Sequence, residues 1–249
     1  LGGQSQPTFV PGNTDDLSDK PTRIMSAVLD PETWYDDPEV GDPDVKDVEN
    51  PTEYANFLKE NSQILGNQNP VAAGTCITKA GSRYTGEMFV WQAFNSMEEA
   101  MENSNAYDPY SAPFALKQMR TPLYSSFWKP LKSFNIRPKS FERVNRVIIQ
   151  PENLVEYIQL ATTFEKELQK SNPGFVMGIF QPLGGGSEEA VANQYMVRGL
   201  TDTAGEHGKF ADEFFAGNAS WAGMYQKLIS LGTIIDDSYD ECEILYSAE

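Results

Sequence analysis

Hydrophobic residues recur along this chain with two periods, one typical of helices and one typical of strands. Apolar residues three and four positions apart begin at Tyr54 and again at Tyr157, which predicts an amphipathic helix at each place. Apolar and polar residues alternate over 87–94 and over 193–200, which predicts strands with one buried face. The chain therefore has the pattern of a mixed α and β protein.

The two halves of the chain show the same predicted elements in the same order. The matched segments are 50–58 with 153–161, 71–74 with 175–178, 87–94 with 193–200, and 124–131 with 221–228. The last pair is assigned to the second helix of each half. The offset between matched residues is 103 at Tyr54 and Tyr157 and 97 at Leu131 and Leu228, which indicates small loop insertions after a duplication.

Each half therefore predicts the β-α-β-β-α-β pattern of a ferredoxin-like unit, and the fold class is α+β with two such units in tandem. The expected parts are a flexible arm at 1–20, a first unit at 21–140 with an acidic insertion at 30–49, and a second unit at 141–249. The strands at the junction of the two units can be assigned in two ways. Either 141–150 closes the first unit, or 136–140 closes it and 142–150 opens the second.

One segment carries a resemblance to a known superfamily. It runs Val90-Trp91-Gln92-Ala93-Phe94-Asn95-Ser96-Met97-Glu98-Glu99-Ala100. This is a strand with aromatic residues, a polar turn, and a helix start in which Ser96 and Glu99 have the spacing of a capping box. The pattern resembles the dimeric α+β barrel superfamily, which includes antibiotic-biosynthesis-monooxygenase-like, EthD-like and NIPSNAP-like proteins. The resemblance covers roughly residues 20–249, with a degraded copy of the motif at 197–202.

The resemblance implies an arrangement of the two units. In that superfamily two ferredoxin-like sheets pack face to face, and the last strand of each unit pairs with the second strand of the other. A tandem repeat would form this barrel within one chain, as a monomer with an internal pseudo-dimer or as a higher homo-oligomer. It would also bring Cys76 opposite Cys242. The resemblance therefore implies a disulfide between them, with two buried free thiols as the alternative.

Composition excludes several classes of function. With 36 acidic and 19 basic residues the net charge is −17, which disfavours nucleic acid as a partner. One histidine and two cysteines are too few for a usual zinc site, and the acidic insertion lacks the spacing of a calcium loop. Apolar runs are far shorter than the ~20 residues of a membrane span. No dinucleotide or nucleotide motif is present, so no cofactor is predicted.

Polar residues on the third strands are the candidate ligand contacts. The repeat alignment places Gln92 and Arg198 on one face that mixes polar and apolar side chains, which suits a ligand cavity between the sheets. Trp91 and Tyr195, on the opposite face in this alignment, complete the candidate set. A buried arginine attracts an anionic ligand or a carboxylate of the protein, so an ion pair of Arg198 at the barrel rim is the alternative.

The resemblance adds His207, the single histidine of the chain, as a candidate catalytic residue. Members of the superfamily often carry a histidine near the start of this helix, where it serves as a general base or a haem ligand. Its neighbours Glu206, Gly208 and Lys209 favour the alternative of a solvent-exposed surface histidine.

The sequence thus predicts small-molecule binding or a cofactor-independent transformation in a cavity between the sheets, and the resemblance implies monooxygenase-like activity. The alternative is a non-catalytic interaction or structural protein with a filled barrel core. The first residues, 1–7, lack a methionine, which favours an exported protein after removal of a signal, with a shortened chain as the alternative.

Overall fold

The computed structural model describes residues 24–29, 50–83, 86–104, 119–120, 122–185 and 192–248. The predicted arm at 1–20 and the acidic insertion at 30–49 lie outside the described residues. None of the helices within these ranges combines the length and the hydropathy that a membrane crossing requires.

The described ranges contain eight strands and six helices. In chain order they are β1 (Ile24–Leu29), α1 (Pro51–Glu60), α2 (Gln63–Gly66), β2 (Ala72–Ala80), β3 (Met88–Ala93), α3 (Met97–Ser104), β4 (Pro122–Pro130), β5 (Lys139–Ile149), α4 (Pro151–Leu168), β6 (Val176–Gly185), β7 (Gln194–Thr201), α5 (Ala204–Phe215), α6 (Ala222–Leu231) and β8 (Gly232–Ser247).

The strands form a curled antiparallel sheet that closes into a barrel in the order β1-β3-β2-β8-β5-β7-β6-β4. β1 completes the ring by pairing with β4. Two further pairings, β2 with β8 and β4 with β6, join the two halves of the chain. Each of them joins the last strand of one half to the second strand of the other, which is the pairing that the resemblance implies.

Alternation along β5 explains how one strand contributes to two cores. Val144 faces the barrel interior, whereas Val147 and Ile149 face the helices. Because successive side chains of a strand point to opposite faces, the sheet buries apolar residues on both sides. One core lies under α4, α5 and α6, a second fills the barrel interior, and a third lies between α1, α2 and the sheet.

The predicted capping box at α3 is present in part. The backbone N–H of Glu99 donates to the Ser96 hydroxyl at 3.0 Å, but the Glu99 carboxylate accepts from the backbone N–H of Asn95, at 3.1 Å, rather than from that of Ser96. α5 begins with a complete capping box, in which Thr203 and Glu206 exchange both bonds. These bonds satisfy N–H groups that have no partner inside the helix, and they fix where each helix follows its strand.

The prediction of a helix at 124–131 is wrong, because β4 occupies this segment. Tyr124, Phe127 and Trp128 have helical spacing, but the segment also fits a period of two. Ser126 and Trp128 are both buried, and the Trp128 indole N–H donates to the Ser126 hydroxyl at 2.7 Å. A register shift between Phe127 and Trp128 marks an irregularity that the sequence pattern did not reveal.

Strand pairing also decides between the two assignments for 141–150. β5 runs from Lys139 to Ile149 and pairs with β7 and β8, so it belongs with the strands of the second half. β4, rather than 136–140, is the last strand of the first half, where it pairs with β1.

Candidate functional site

A layer of charged residues crosses the barrel interior. Arg198 lies on β7, Glu142 on β5 and Asp240 on β8, and their exposed fractions are 3%, 4% and 1%. The register brings them together, since Arg198 is opposite Val144 and Glu142 is opposite Asp240. Charged side chains are seldom buried without partners, which marks this layer as the first candidate site.

Arg198 and Glu142 form a buried ion pair. The Arg198 Nε donates to Glu142 Oε2 at 2.6 Å, and the Ser140 hydroxyl donates to Glu142 Oε1 at 2.5 Å. The guanidinium also lies over the Phe89 ring, with 5.2 Å between Cζ and the ring centroid. These contacts offset part of the cost of removing the two charges from water.

Cys76 and Cys242 are joined by a disulfide across β2 and β8, where they are directly opposite each other. The Arg198 Nη2 lies 3.4 Å from the Cys76 sulfur and 3.3 Å from the Cys242 sulfur. The cross-link therefore shares the barrel interior with the charged layer, and it connects the two halves of the chain.

Asp240 has an altered acidity. Burial, opposed by the charge of Arg198 and assisted by that of Glu142, raises the pKa of its carboxyl to about 6. The Ser238 hydroxyl donates to Asp240 Oδ1 at 3.2 Å and also favours the ionised form. A carboxyl group with a pKa near neutrality can both accept and release a proton under ordinary conditions.

Two small cavities flank the charged layer, and Arg198 lines both of them. The cysteine-side cavity, of about 20 Å³, is lined by Trp91, Glu142 and Cys242 and reaches the partly exposed Arg137.

The aspartate-side cavity, of about 30 Å³, is lined by Phe89, Ser238 and Asp240 and reaches the exposed Gly81 and Arg83. A water molecule needs about 10–15 Å³ of such volume, so each cavity holds one or two waters or a group of similar size.

The structure brings together two of the four predicted ligand contacts. Arg198 and Trp91 line the cysteine-side cavity. Gln92 lies on the helix side of β3 and donates to the Leu65 carbonyl at 3.0 Å, and Tyr195 packs in the core under α4 to α6. The predicted pairing of faces was therefore wrong.

Strand pairing gives the reason for that error. Gly74 of β2 is opposite Trp91, and the matching Gly178 of β6 is opposite Arg198. Trp91 is thus the counterpart of Arg198, one position away from the alignment used above. Because side chains alternate with a period of two, a shift of one residue exchanges the faces.

Arg198 pairs with an acid of the protein, as the alternative interpretation stated. That acid, Glu142, lies inside the barrel rather than at its rim.

Sequence analysis missed both Glu142 and Asp240. Asp240 precedes Cys242 by two positions, and therefore shares its face, but several other acids surround it in the same strand.

His207 lies on the outer, helix-covered side of the sheet and is half-buried, which contradicts the solvent-exposed alternative. Its ring packs at 5.5 Å from Tyr239, 6.0 Å from Phe141 and 6.1 Å from Phe210, measured between centroids. Burial, assisted by the charge of Arg143 and opposed by that of Asp237, lowers the pKa of His207 to about 4. The imidazole is therefore neutral near pH 7.

The surroundings of His207 do not fit a haem ligand. Among the described residues Nδ1 has no hydrogen-bond partner although it is buried, and three aromatic rings occupy the space around the imidazole that a macrocycle would need. His207 is also on the opposite side of the sheet from the charged layer. No chemical step is therefore assigned to haem.

No sequence profile of a protein family matches this chain, and no curated protein sequence is significantly similar to it. Solved structures do resemble it. An anthrone oxidase-like protein is 10% identical with a TM-score of 0.56, over 93% of this chain and 98% of that one. A proposed monooxygenase from Lactobacillus acidophilus is 8% identical with a TM-score of 0.55, over 90% and 95%.

A third similar structure is chlorite dismutase from Candidatus Nitrospira defluvii in complex with imidazole. It is 10% identical with a TM-score of 0.50, over 92% of this chain and 94% of that one. Identities of this size indicate a shared fold and carry no chemistry from one protein to another. The chain shares the mixed α+β fold of these structures.

Proposed function

We propose that the protein binds a small molecule at the aspartate-side cavity and that Asp240 transfers a proton to or from it without a cofactor. The observation that carries this proposal is the position of Asp240, a buried carboxyl with a pKa of about 6 that lines a cavity reaching the surface. A perturbed carboxyl in a cleft with a charged partner is a typical general acid or base.

Arg198 supplies the second half of the proposed site. Its guanidinium lines the same cavity as Asp240, so it can stabilise negative charge that develops on a ligand when Asp240 removes a proton. The cavity of about 30 Å³ accepts a polar group of the ligand, such as a hydroxyl or carbonyl, while the rest lies at the mouth near Gly81 and Arg83.

The substrate class that this arrangement fits is a molecule with an acidic O–H or C–H beside a carbonyl. The names of two similar structures, an anthrone oxidase-like protein and a proposed monooxygenase, are compatible with oxidation of such a molecule. Monooxygenase-like activity is therefore part of the proposal, with proton transfer as its first step and dioxygen as the oxidant, of which one oxygen atom enters the product and the other leaves as water.

A second candidate is a non-catalytic interaction or structural protein with a filled barrel core. The volumes of the two cavities favour it, because about 20 and 30 Å³ leave little space for a ligand between the sheets. The disulfide and the Arg198–Glu142 pair would then serve only to hold the interior together.

We also propose that the chain is a tandem duplication that forms a pseudo-dimer within one molecule. The strand orders β4-β1-β3-β2 and β8-β5-β7-β6 are the same when each half is numbered from its own first strand. That order, with antiparallel pairing throughout, is compatible with two ferredoxin-like units that meet near residue 140.

Thermal unfolding with a panel of hydroxylated aromatic ketones tests the proposed site. A ligand should raise the melting temperature of the wild-type protein, and Asp240→Asn should reduce the shift. Asp212→Asn is the matched control, because Asp212 is an exposed acid on α5 and should leave the shift unchanged. Equal shifts in all three proteins, or none with any compound, would favour the filled-core candidate.

A further inference from the structure

We propose that Cys76 and Cys242 are a dithiol–disulfide pair that reduces a hydroperoxide, with Cys242 as the attacking thiolate and Arg198 as the group that stabilises it. The structure then represents the oxidised form of the pair. This activity shares Arg198 with the small-molecule site proposed above but can be tested separately from it, because it requires the sulfur atoms and not Asp240.

The position of Arg198 gives the first argument. Its Nη2 contacts both sulfur atoms, at 3.4 and 3.3 Å, and Arg198 and both cysteines are buried. A guanidinium in such a place favours the thiolate over the neutral thiol after reduction. A disulfide that only cross-links two strands has no need of a cation beside its sulfurs.

Access to one of the two sulfurs gives the second argument. Cys242 lines the cysteine-side cavity, whereas Cys76 is absent from its lining and is 1% exposed. The cavity volume of about 20 Å³ suits hydrogen peroxide or the terminal O–O group of an organic hydroperoxide. Cys242 is therefore the residue that meets the oxidant, and Cys76 is the one that resolves the product.

Glu142 completes the arrangement as a proton carrier. One of its carboxylate oxygens and the two sulfur atoms all lie within 4.8 Å of one another. Glu142 also lines the cysteine-side cavity, where it can take the Cys242 thiol proton and pass it to the oxygen that leaves the peroxide.

In the first step the Cys242 thiolate attacks one oxygen of the hydroperoxide ROOH. An S–O bond forms and the O–O bond breaks, sulfur loses two electrons, and the leaving RO⁻ takes the former thiol proton to become ROH. In the second step the Cys76 thiolate attacks the Cys242 sulfenic acid. The S–S bond forms, the S–O bond breaks, and hydroxide leaves as water with the Cys76 proton.

An external dithiol returns the protein to its reduced form. Thiol–disulfide exchange transfers two electrons and two protons to Cys76 and Cys242, and the reductant leaves as its own disulfide. One turnover thus consumes one hydroperoxide and one dithiol, and yields one alcohol or water, one further water and one oxidised dithiol.

The same three side chains would supply two thiolates and one carboxylate to a metal ion after reduction. The Arg198 guanidinium argues against that use, because its charge beside both sulfurs repels a cation. The charge pattern favours the anionic thiolate and a neutral oxidant.

The first experiment measures stoichiometry and rate on the full chain. The protein is reduced with dithiothreitol under native conditions, freed of reductant, and mixed with hydrogen peroxide while free thiols are counted. We expect two thiols to disappear per peroxide, at least tenfold faster than the thiol of free cysteine at pH 7. Failure to reduce the folded protein, or a rate equal to that of free cysteine, would overturn the proposal.

The second experiment separates the two cysteines by trapping the sulfenic acid with a cyclic 1,3-diketone. Cys76→Ser should accumulate the adduct on Cys242, because the resolving thiol is missing. Cys242→Ser should give little adduct. Equal labelling of both variants would contradict the assignment of roles, and a stoichiometric zinc complex of the reduced protein would favour a metal site instead.

The third experiment tests the positioning residue Arg198. Glu142→Gln combined with Arg198→Met removes one positive and one negative charge together, and it should slow the peroxide reaction at pH 7 by roughly tenfold and move its pH profile upward. Arg198→Lys should restore part of the rate. The control is Arg143→Lys on the outer face, where the arginine binds Asp237, and an unchanged profile in the double variant would count against the proposal.

Discussion

Asp240 and His207 lie on opposite faces of the sheet around β5 and β8, and burial moves their pKa values in opposite directions. The pKa of Asp240 rises to about 6 inside the barrel, and that of His207 falls to about 4 under the helices. In both cases burial disfavours the charged form. Between about pH 4 and pH 6, Asp240 therefore makes stability fall as pH rises, whereas His207 makes it rise.

We expect Asp240→Asn to stabilise the protein at neutral pH. The folded-state pKa of Asp240 lies above its usual value of 3.8, so the folded state holds this proton more tightly and loses stability as pH rises through about 6. A shift of this size corresponds to about 3 kcal/mol. Urea unfolding of both proteins should give similar free energies at pH 4 and a more stable variant at pH 7.5.

Asp212→Asn provides the comparison for Asp240→Asn, because it removes an exposed carboxyl from α5. Its unfolding free energy should follow that of the wild type at every pH. If Asp240→Asn followed the same curve, the buried carboxyl would have an ordinary pKa.

His207→Gln tests the opposite change of stability with pH. The folded-state pKa of His207 lies below its usual value of 6.5, so the wild type loses stability as pH falls from about 6.5 to about 4. The variant lacks this proton-binding site and should lose less stability over that range. Circular-dichroism melts at several pH values measure the difference, with Lys209→Gln, an exposed change on the same helix, as control.

Removing one partner of the buried ion pair should lower the unfolding free energy more than removing both partners. Glu142→Gln leaves the Arg198 charge without its carboxylate, and we expect a loss of about 3–5 kcal/mol in unfolding free energy. Glu142→Gln with Arg198→Met should recover most of that loss. The exposed pair of Glu156 with Lys227 is the control, since Glu156→Gln should cost no more than about 1 kcal/mol.

Gly74 is expected to tolerate no side chain. A Cβ there would lie 2.8 Å from the Trp91 ring and would overlap the Glu243 carbonyl on β8. Gly74→Ala should therefore destabilise the protein by roughly 1–3 kcal/mol. Gly208→Ala, within α5 and with open space around its Cβ, should stabilise it by up to about 1 kcal/mol, and equal effects of the two changes would contradict this packing.

The order of elements was accessible from the sequence because hydrophobic periods survive divergence better than identities do. The helices starting near Tyr54 and Tyr157 and the strands around 87–94 and 193–200 are present in the structure. β4 was not recognised, because aromatic residues at 124, 127 and 128 fit a helical period as well as a strand. Only pairing with β1 and β6 decides between the two.

The charged layer was harder to predict than the fold. Arg198 could be proposed because an arginine interrupts an otherwise apolar strand. Asp240 could not, because it is one of several acids in β8, and burial rather than residue type distinguishes it. The prediction of the face on which Gln92 lies depended on the assumed length of the hairpin before it. A difference of one residue in that length moves a side chain to the opposite side of the sheet.

The pairing of β2 with β8 has a consequence for folding during synthesis on the ribosome. Cys76 and its partner Cys242 are separated by 166 residues, so β2 waits with one unpaired edge while the rest of the barrel is synthesised. Contacts between such distant segments slow folding. An exposed strand edge can pair with other chains in the meantime. We therefore expect chains that stall before β8 to aggregate, and the barrel to close only once β8 is available.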